Sequence, residues 1–273
     1  MSMLFHNGLF QGEVALVTGG GTGIGLAIAT ELGSLGAAVA ICGRRAEPLA
    51  AAASKLREAG VDVFEGACDI READAVSAFV AAVHGRFGRI DVLVNNAGGQ
   101  FISPAADISP RGFEAVVRNN LLGTWNMTHA VARKAFIPQR RGRIVNIIAD
   151  IRRGFPGMIH TGAARAGVEN MTKTLAIEWA THGVRVNAIA PGVIESSGME
   201  RYPPEVIDRV RRATPLKRLG DEREVAQLAA YLSSKYADFV TGQTIYIDGG
   251  GSLWGDRWDI ADDVPQYPPF AAG

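Results

Sequence analysis

From residue 13 onward the chain alternates short, β-branched apolar runs with longer stretches rich in Ala, Leu, Glu and Arg. A strand covered on both faces reads as an unbroken apolar run, whereas a helix crossing a sheet face needs ten or more residues. Strands are therefore predicted at 14–18, 38–42, 62–65, 92–95, 143–148, 184–189 and 244–247. Helices are predicted over 47–59, 72–87, 112–136, 163–180 and 222–232, with another opening through Leu26, Ala27, Ile28 and Ala29. Strands joined by crossover helices wind in one hand and pair in parallel. The expected architecture is α/β: one doubly wound, seven-stranded parallel sheet with helices on both faces, a single domain over residues 1–273.

Two stretches break the alternation. Residues 192–219, with Gly192, Gly198, Pro203, Pro204 and Pro215 around a short charged segment, read as a flap over a pocket. The tail 249–273 sets Trp254, Trp258, Tyr267 and Phe270 among prolines and acids. It is expected to pack either on its own subunit or on a neighbour.

Composition narrows the function classes. With 47% hydrophobic and 21% charged residues the chain is of ordinary globular type. Its 28 basic and 28 acidic residues cancel, so no global field draws nucleic acid or an anionic membrane, and neither is expected as a partner. No run of 18 apolar residues occurs. Cys42 and Cys68 are too few for a disulfide framework or a four-ligand zinc site, and no metal is expected. The first residues lack a signal-peptide pattern and the last, PPFAAG, are not a peroxisomal address, so a cytoplasmic location is expected.

The chemistry begins directly after the first strand, where Thr18-Gly19-Gly20-Gly21-Thr22-Gly23-Ile24-Gly25 opens a helix. Glycines allow a tight turn and close backbone approach, and the free N–H groups of the helix start favour a pyrophosphate, as in Rossmann-type dinucleotide sites. Such sites place an acid at the end of the second strand when they hold the ribose 2′-hydroxyl of NAD. Here the chain reads Gly43-Arg44-Arg45, and two guanidinium groups suit the 2′-phosphate of NADP(H).

Gly19-x-x-x-Gly23-x-Gly25, Asn95-Asn96-Ala97-Gly98 and Pro191-Gly192 occur in the order of the classical short-chain dehydrogenases/reductases, and the chain resembles that family over most of its length. The resemblance implies that Asp69 and Ile70 flank the adenine and that Asn96, Ala97 and Gly98 line the adenosine side. It further implies that Pro191, Gly192 and Ile194 border the nicotinamide, and that the protein is a homo-oligomer, a tetramer or a dimer.

The catalytic positions depart from the pattern. The family's Tyr-x-x-x-Lys falls on Thr161 and Arg165, and its serine on Ile148 or Ala149, while its helix asparagine matches Asn120. Carbonyl reduction needs the phenol as acid, and threonine is a poor replacement. Reduction of an enoyl thioester needs hydrogen-bond donors for an enolate, with the proton reaching the α-carbon later. The segments 97–105, 145–148, 160–168, 175–180 and 248–253 resemble peroxisomal trans-2-enoyl-CoA reductases and, more loosely, 2,4-dienoyl-CoA reductases. Where those enoyl reductases carry a tyrosine four residues after the arginine, this chain has Glu169.

The expected function is NADPH-dependent reduction of a trans-2-enoyl-CoA in fatty acid metabolism. A dienoyl-CoA or carbonyl reductase and a non-catalytic NADP-binding protein are the alternatives. Arg165 is expected to hold the nicotinamide ribose, or else to pair with Glu169 one turn on; Asn120 fixes a helix kink or a water; Thr161 donates to the thioester oxygen. His160 is a further proton source, and Asp150 another if burial raises its pKa. Arg152, Arg153, Arg201, Arg209, Arg211 and Arg212 could form a basic rim for the coenzyme A phosphates, or lie solvated.

Overall fold

The computed structural model describes residues 5–195, 204–254 and 263–266. In chain order the elements are β1 (Val14–Thr18), α1 (Gly23–Ser34), β2 (Ala38–Gly43), α2 (Ala46–Glu58), β3 (Val63–Ala67), α3 (Ala73–Phe87) and β4 (Val92–Asn95). There follow α4 (Pro110–Val117), α5 (Gly123–Val131), α6 (Ile137–Gln139), β5 (Gly142–Ile147), α7 (Ile159–Glu178), β6 (Val184–Pro191) and β7 (Ile194–Glu195). Last come α8 (Pro204–Ala213), β8 (Gly220–Asp221), α9 (Glu222–Ser233) and β9 (Thr244–Ile247). Seven strands form one parallel sheet in the order β3-β2-β1-β4-β5-β6-β9, as the apolar runs predict, and β7 pairs with β8 in a small separate ribbon. The third strand is displaced to Val63–Ala67, with the Asp62 carbonyl still accepting from the Val39 N–H at 2.9 Å.

Period-two alternation divides the core between the two faces. Ala15 and Val17 of β1 join Ile28, Leu32, Leu56 and Val225 beneath α1, α2 and α9. Val14 and Leu16 face the other way, joining Val80, Met127, Val131, Phe136 and Leu175 beneath α3, α5 and α7. Each of these side chains larger than alanine, removed from water, contributes about 1.5–3 kcal/mol.

A buried polar ladder crosses this second layer. The Asn95 amide donates to Thr128 Oγ1 at 2.8 Å and to Asn146 Oδ1 at 2.9 Å, and the Asn146 amide donates to Thr172 Oγ1 at 2.9 Å. It ties α5 to α7 through the ends of β4 and β5.

Two helices differ from expectation. The predicted 112–136 helix begins at Pro110, where Ser109 Oγ accepts from the Gly112 N–H at 3.1 Å, and runs to Gln139 with two wide π turns, Arg118–Leu122 and Ala132–Phe136. Each π turn fits an extra residue into the ladder, which a 3.6-residue period does not reveal. The predicted 163–180 helix begins at Ile159. Gly162, Thr161 and His160 are weak helix formers, and it is the burial of His160 and Thr161 that holds the first turn.

The proposed flap and tail are only partly described, and Gly198, Arg201, Pro203, Trp258, Tyr267 and Phe270 lie outside the described residues. Where the tail is described it packs on its own chain: the Trp254 carbonyl accepts from Arg153, and Gln266 Nε2 donates to Leu216 O at 3.0 Å. No described helix is long and apolar enough to cross a membrane, and the described residues contain no cluster of metal-ligating side chains.

Candidate active site

Sheet order reverses between β1 and β4, and the crevice at their C-terminal ends is where ligands bind in open α/β sheets. Thr18 closes it from inside. Its Oγ1 accepts from the Asn96 and Ala97 N–H groups at 3.0 and 2.9 Å, while Asn96 Nδ2 donates to Thr18 O at 3.0 Å. The turn that follows needs its glycines. Gly19 has φ +66° and Gly23 φ +58°, and a Cβ on Gly25 would collide with Gly19 O and the Asn96 amide. Thr22 supplies no side-chain cap, so the first N–H groups of α1 remain for an anion.

A cleft of about 670 Å³ runs over this turn. Gly19, Gly21, Thr22, Gly23 and Ile24 line it, with Arg44, Arg45, Ile70, Asn96, Ala97 and Gly98. Arg44 and Arg45 are exposed and form no ion pair among the described residues. Of the predicted set, Gly25 is a packing residue beneath the floor, and the Asp69 side chain is turned to Arg71, which donates to both carboxylate oxygens. Those bonds hold Asp69 below the usual carboxylate range. The sequence reading missed Pro48, Leu49, Cys68 and Asn119 in the wall, because nothing in their spacing separates them from packing residues.

A second cavity of about 980 Å³ continues from Gly98 past Pro191, Gly192 and Ile194, roofed by Ile207, Val210 and Thr214 of α8 and the segment after it. Arg165 lines it from α7 and is only 8% exposed. Burial pushes its pKa down to about 10, which leaves the guanidinium cationic at neutral pH. The pair with Glu169 does not form: Glu169 accepts instead from Lys173 at 2.9 Å, and Arg165 Nη1 is buried without any partner. Arg165 Nη2 lies where a Cβ on Gly98 would be. Asn120 sits in the first π turn, fully buried, with Oδ1 accepting from the Gly99 N–H at 2.9 Å and Nδ2 donating to Gly99 O at 3.0 Å. It fixes the Gly98-Gly99 backbone against the guanidinium and lies outside the cavity wall.

Thr161 requires a correction. The earlier start of α7 buries it completely, and its hydroxyl faces His160 Nδ1 at 3.3 Å and lines neither cavity. His160 is equally buried; its Nδ1 accepts from the Thr161 N–H at 2.8 Å and its ring meets Phe101 edge-on. Among the described residues, the titratable side chains on the cavity wall, apart from Arg165, are two carboxylates, Asp150 and Asp248. Burial, followed by the charge of Asp248, raises the Asp150 pKa. Burial opposes ionisation of Asp248 too, but hydrogen bonds from Ser252 and Gly250 outweigh it and hold this carboxylate low.

The model of the enoyl-(acyl carrier protein) reductase family matches residues 19–252. The chain belongs to the short-chain dehydrogenase/reductase family. It is an oxidoreductase of that family, and several of the proteins it resembles are named 2,4-dienoyl-CoA reductases. It is 39% identical over 265 residues to the (3E)-enoyl-CoA-producing peroxisomal 2,4-dienoyl-CoA reductase of Arabidopsis thaliana, covering 93% of this chain and 88% of the relative. Among solved structures, a citronellol catabolism dehydrogenase of Pseudomonas aeruginosa PAO1 is 46% identical, with a TM-score of 0.83 over 92% of this chain and all of the other. A Phe-to-Trp variant of actinorhodin polyketide ketoreductase, solved with NADPH, is 36% identical with a TM-score of 0.86 over 91% of this chain and 100% of the other. Within this reductase family, then, the crevice of the present chain keeps the glycine turn and sets a buried arginine and two carboxylates where its second cavity opens.

Proposed function

We propose that this reductase uses NADPH to saturate a carbon–carbon double bond conjugated with an acyl thioester, a trans-2-enoyl-CoA in its simplest form. The observation that carries the reading is the cavity around Arg165, which holds a buried guanidinium with an unpartnered Nη1 and no phenol on its described wall. NADPH, when bound, supplies a hydride with its electron pair to the far carbon of that conjugated double bond.

The chain's own residues do the rest. The turn over Gly19, Gly21, Thr22, Gly23 and Ile24 holds the pyrophosphate, Arg44 and Arg45 the 2′-phosphate, and Ile70 and Asn96-Ala97-Gly98 the adenosine side. Pro191, Gly192 and Ile194 border the nicotinamide, and Arg165 holds its ribose. A cation fixed in a dry wall stabilises an enolate oxygen far better than water does, because it needs no reorganisation as charge develops. Arg165 has donor hydrogens left for that oxygen.

A 2,4-dienoyl-CoA is the second reading, favoured by the name of the Arabidopsis relative. Its extended conjugation delivers negative charge to the same thioester oxygen. The test is NADPH oxidation with trans-2-enoyl-CoA and 2,4-dienoyl-CoA of several chain lengths, beside a 3-oxoacyl-CoA and an NADH control. Turnover of either unsaturated thioester with NADPH preferred supports the proposal and ranks the two readings. Turnover of the 3-oxoacyl-CoA alone overturns it.

A further inference from the structure

Among the described residues the cavity wall contains six polar side chains: Asn96, Gln100, Asp150, Arg165, Thr214 and Asp248. Delivering a proton to carbon near neutral pH needs a group that holds a proton there and can release it. Amides and an alcohol do not release one, and Arg165 stays charged. Two carboxyls remain, and their surroundings divide them. Both oxygens of Asp248 are engaged, Oδ1 by the Gly250 N–H at 3.0 Å and Oδ2 by the Ser252 N–H at 2.6 Å. Bonds of that kind favour the anion. Asp150 has a single long contact, from the Arg152 N–H at 3.3 Å to Oδ1, and its Oδ2 accepts nothing from the described residues. Its own N–H donates to Pro191 O at 3.1 Å, which fixes it beside the Pro191-Gly192 border of the cavity.

We propose that Asp150 is the proton donor to the α-carbon of the reduced substrate, working beside an ionised Asp248. The assignment rests on the thioester reading given above. In the step, the O–H bond of the Asp150 carboxyl breaks, the electron pair of the enolate C=C forms the new C–H bond at the α-carbon, and the thioester carbonyl is restored. The carboxylate left behind regains its proton from solvent. Two carboxyls at one site with unequal hydrogen bonding separate into a low and a high pKa, and the higher one serves as the acid.

Among the described residues, the charged and titratable groups around Asp150 are Asp248 from the loop after β9, Arg152 and Arg153 from its own loop, and Tyr246 from β9. The Arg152 guanidinium is stacked over the Tyr246 ring at 4.2 Å, and burial together with Asp248 outweighs both arginines. A raised carboxyl pKa keeps the acid form to higher pH, so turnover should fall as pH rises through that value.

The experiment has two arms. In the first, protein labelled with carboxyl-¹³C aspartate and free of cofactor is titrated by NMR, with D150N assigning the resonance. Asp150 is expected to titrate above the other aspartates and to move down in D248N. In the second, D150N is expected to lower kcat on the unsaturated acyl-CoA by about 10²-fold or more, with NADPH binding by fluorescence unchanged and D150E recovering part of the loss. D150N within about twofold of the parent kcat would overturn the assignment. An Asp150 resonance that titrates with the ordinary aspartates would overturn it as well, even in an enzyme that reduced neither thioester, a failure that would strike the substrate reading instead.

Discussion

At the scale of single residues, the two arginine sites carry the sharpest expectations. Arg44 and Arg45 face the nucleotide cleft without ion pairs among the described residues, so a phosphate there would gain charge-assisted hydrogen bonds worth about 1.5–3 kcal/mol. Replacing both by alanine should raise the KM for NADPH about ten- to a hundredfold and leave that for NADH nearly unchanged, as steady-state kinetics with both cofactors will show. Arg165 presents a different case, since its guanidinium also fills space beside Gly98. Arg165→Met keeps much of the volume and removes the charge; kcat/KM for the thioester is expected to fall about 10²- to 10³-fold while the fold survives. A loss confined to thermal stability, with kcat/KM intact, would remove Arg165 from the chemistry. That Gly19, Gly21, Gly23, Arg44 and Arg45 line one cleft and Arg165 the next was legible from residue type and position. Thr161 misled because a hydroxyl at the family's tyrosine position says nothing of which way it faces, and burial turned it to His160.

At the scale of elements, the long Pro110–Gln139 segment shows how hydrogen bonding positions the wall. The wide turn at Arg118–Leu122 carries Asn120 to the Gly99 backbone, and the same helix reaches β4 through Thr128. Asn146 stands in the middle of that buried ladder. Asn146→Ala strands Asn95 and Thr172 partners at once, and a stability loss of about 1–3 kcal/mol is expected in urea unfolding, with little change in slope. At α9 the capping box joins Asp221 and Glu224, and Arg218 donates to both Glu224 oxygens. The hydrogen bond from Arg218 holds the Glu224 pKa below its usual value. A depressed carboxyl stabilises the fold above its unfolded pKa of about 4.3, and that contribution is lost as pH falls through the folded value. Glu224→Gln should therefore lower the melting temperature at pH 7 and narrow its difference from the parent protein at acid pH. Helices were legible as long Ala-, Leu-, Glu- and Arg-rich stretches between the apolar runs, but the π turns and the early start of α7 were not, because both arise from packing rather than from local preference.

At the scale of the whole molecule, the sheet follows from seven apolar runs at crossover spacing, and its order puts the reversal point beside the glycine turn. The strands were legible because both faces of the sheet are covered, so β1 and β2 are almost wholly apolar and even β5 and β6 keep long apolar runs between their few polar residues. Assembly is a separate matter. Leu122 and Trp125 are 46% and 38% exposed on one helix, and Ile177 is 78% exposed on α7. A homo-oligomer is expected by light scattering, with Trp125→Glu shifting it toward the monomer; an unchanged mass would move the contact elsewhere. The packing around α7 also limits which chemistry the site can accept. Restoring the tyrosine and lysine of the carbonyl-reducing relatives takes two substitutions on paper. A phenol at the fully buried Thr161 would meet a filled interior and cost about 1–3 kcal/mol of strain, and a slimmer lysine would open a gap against Gly98. The phenol chemistry is thus barred by shape, and a variant given both side chains would need the neighbours of Thr161 and Gly98 rebuilt before the acid became useful.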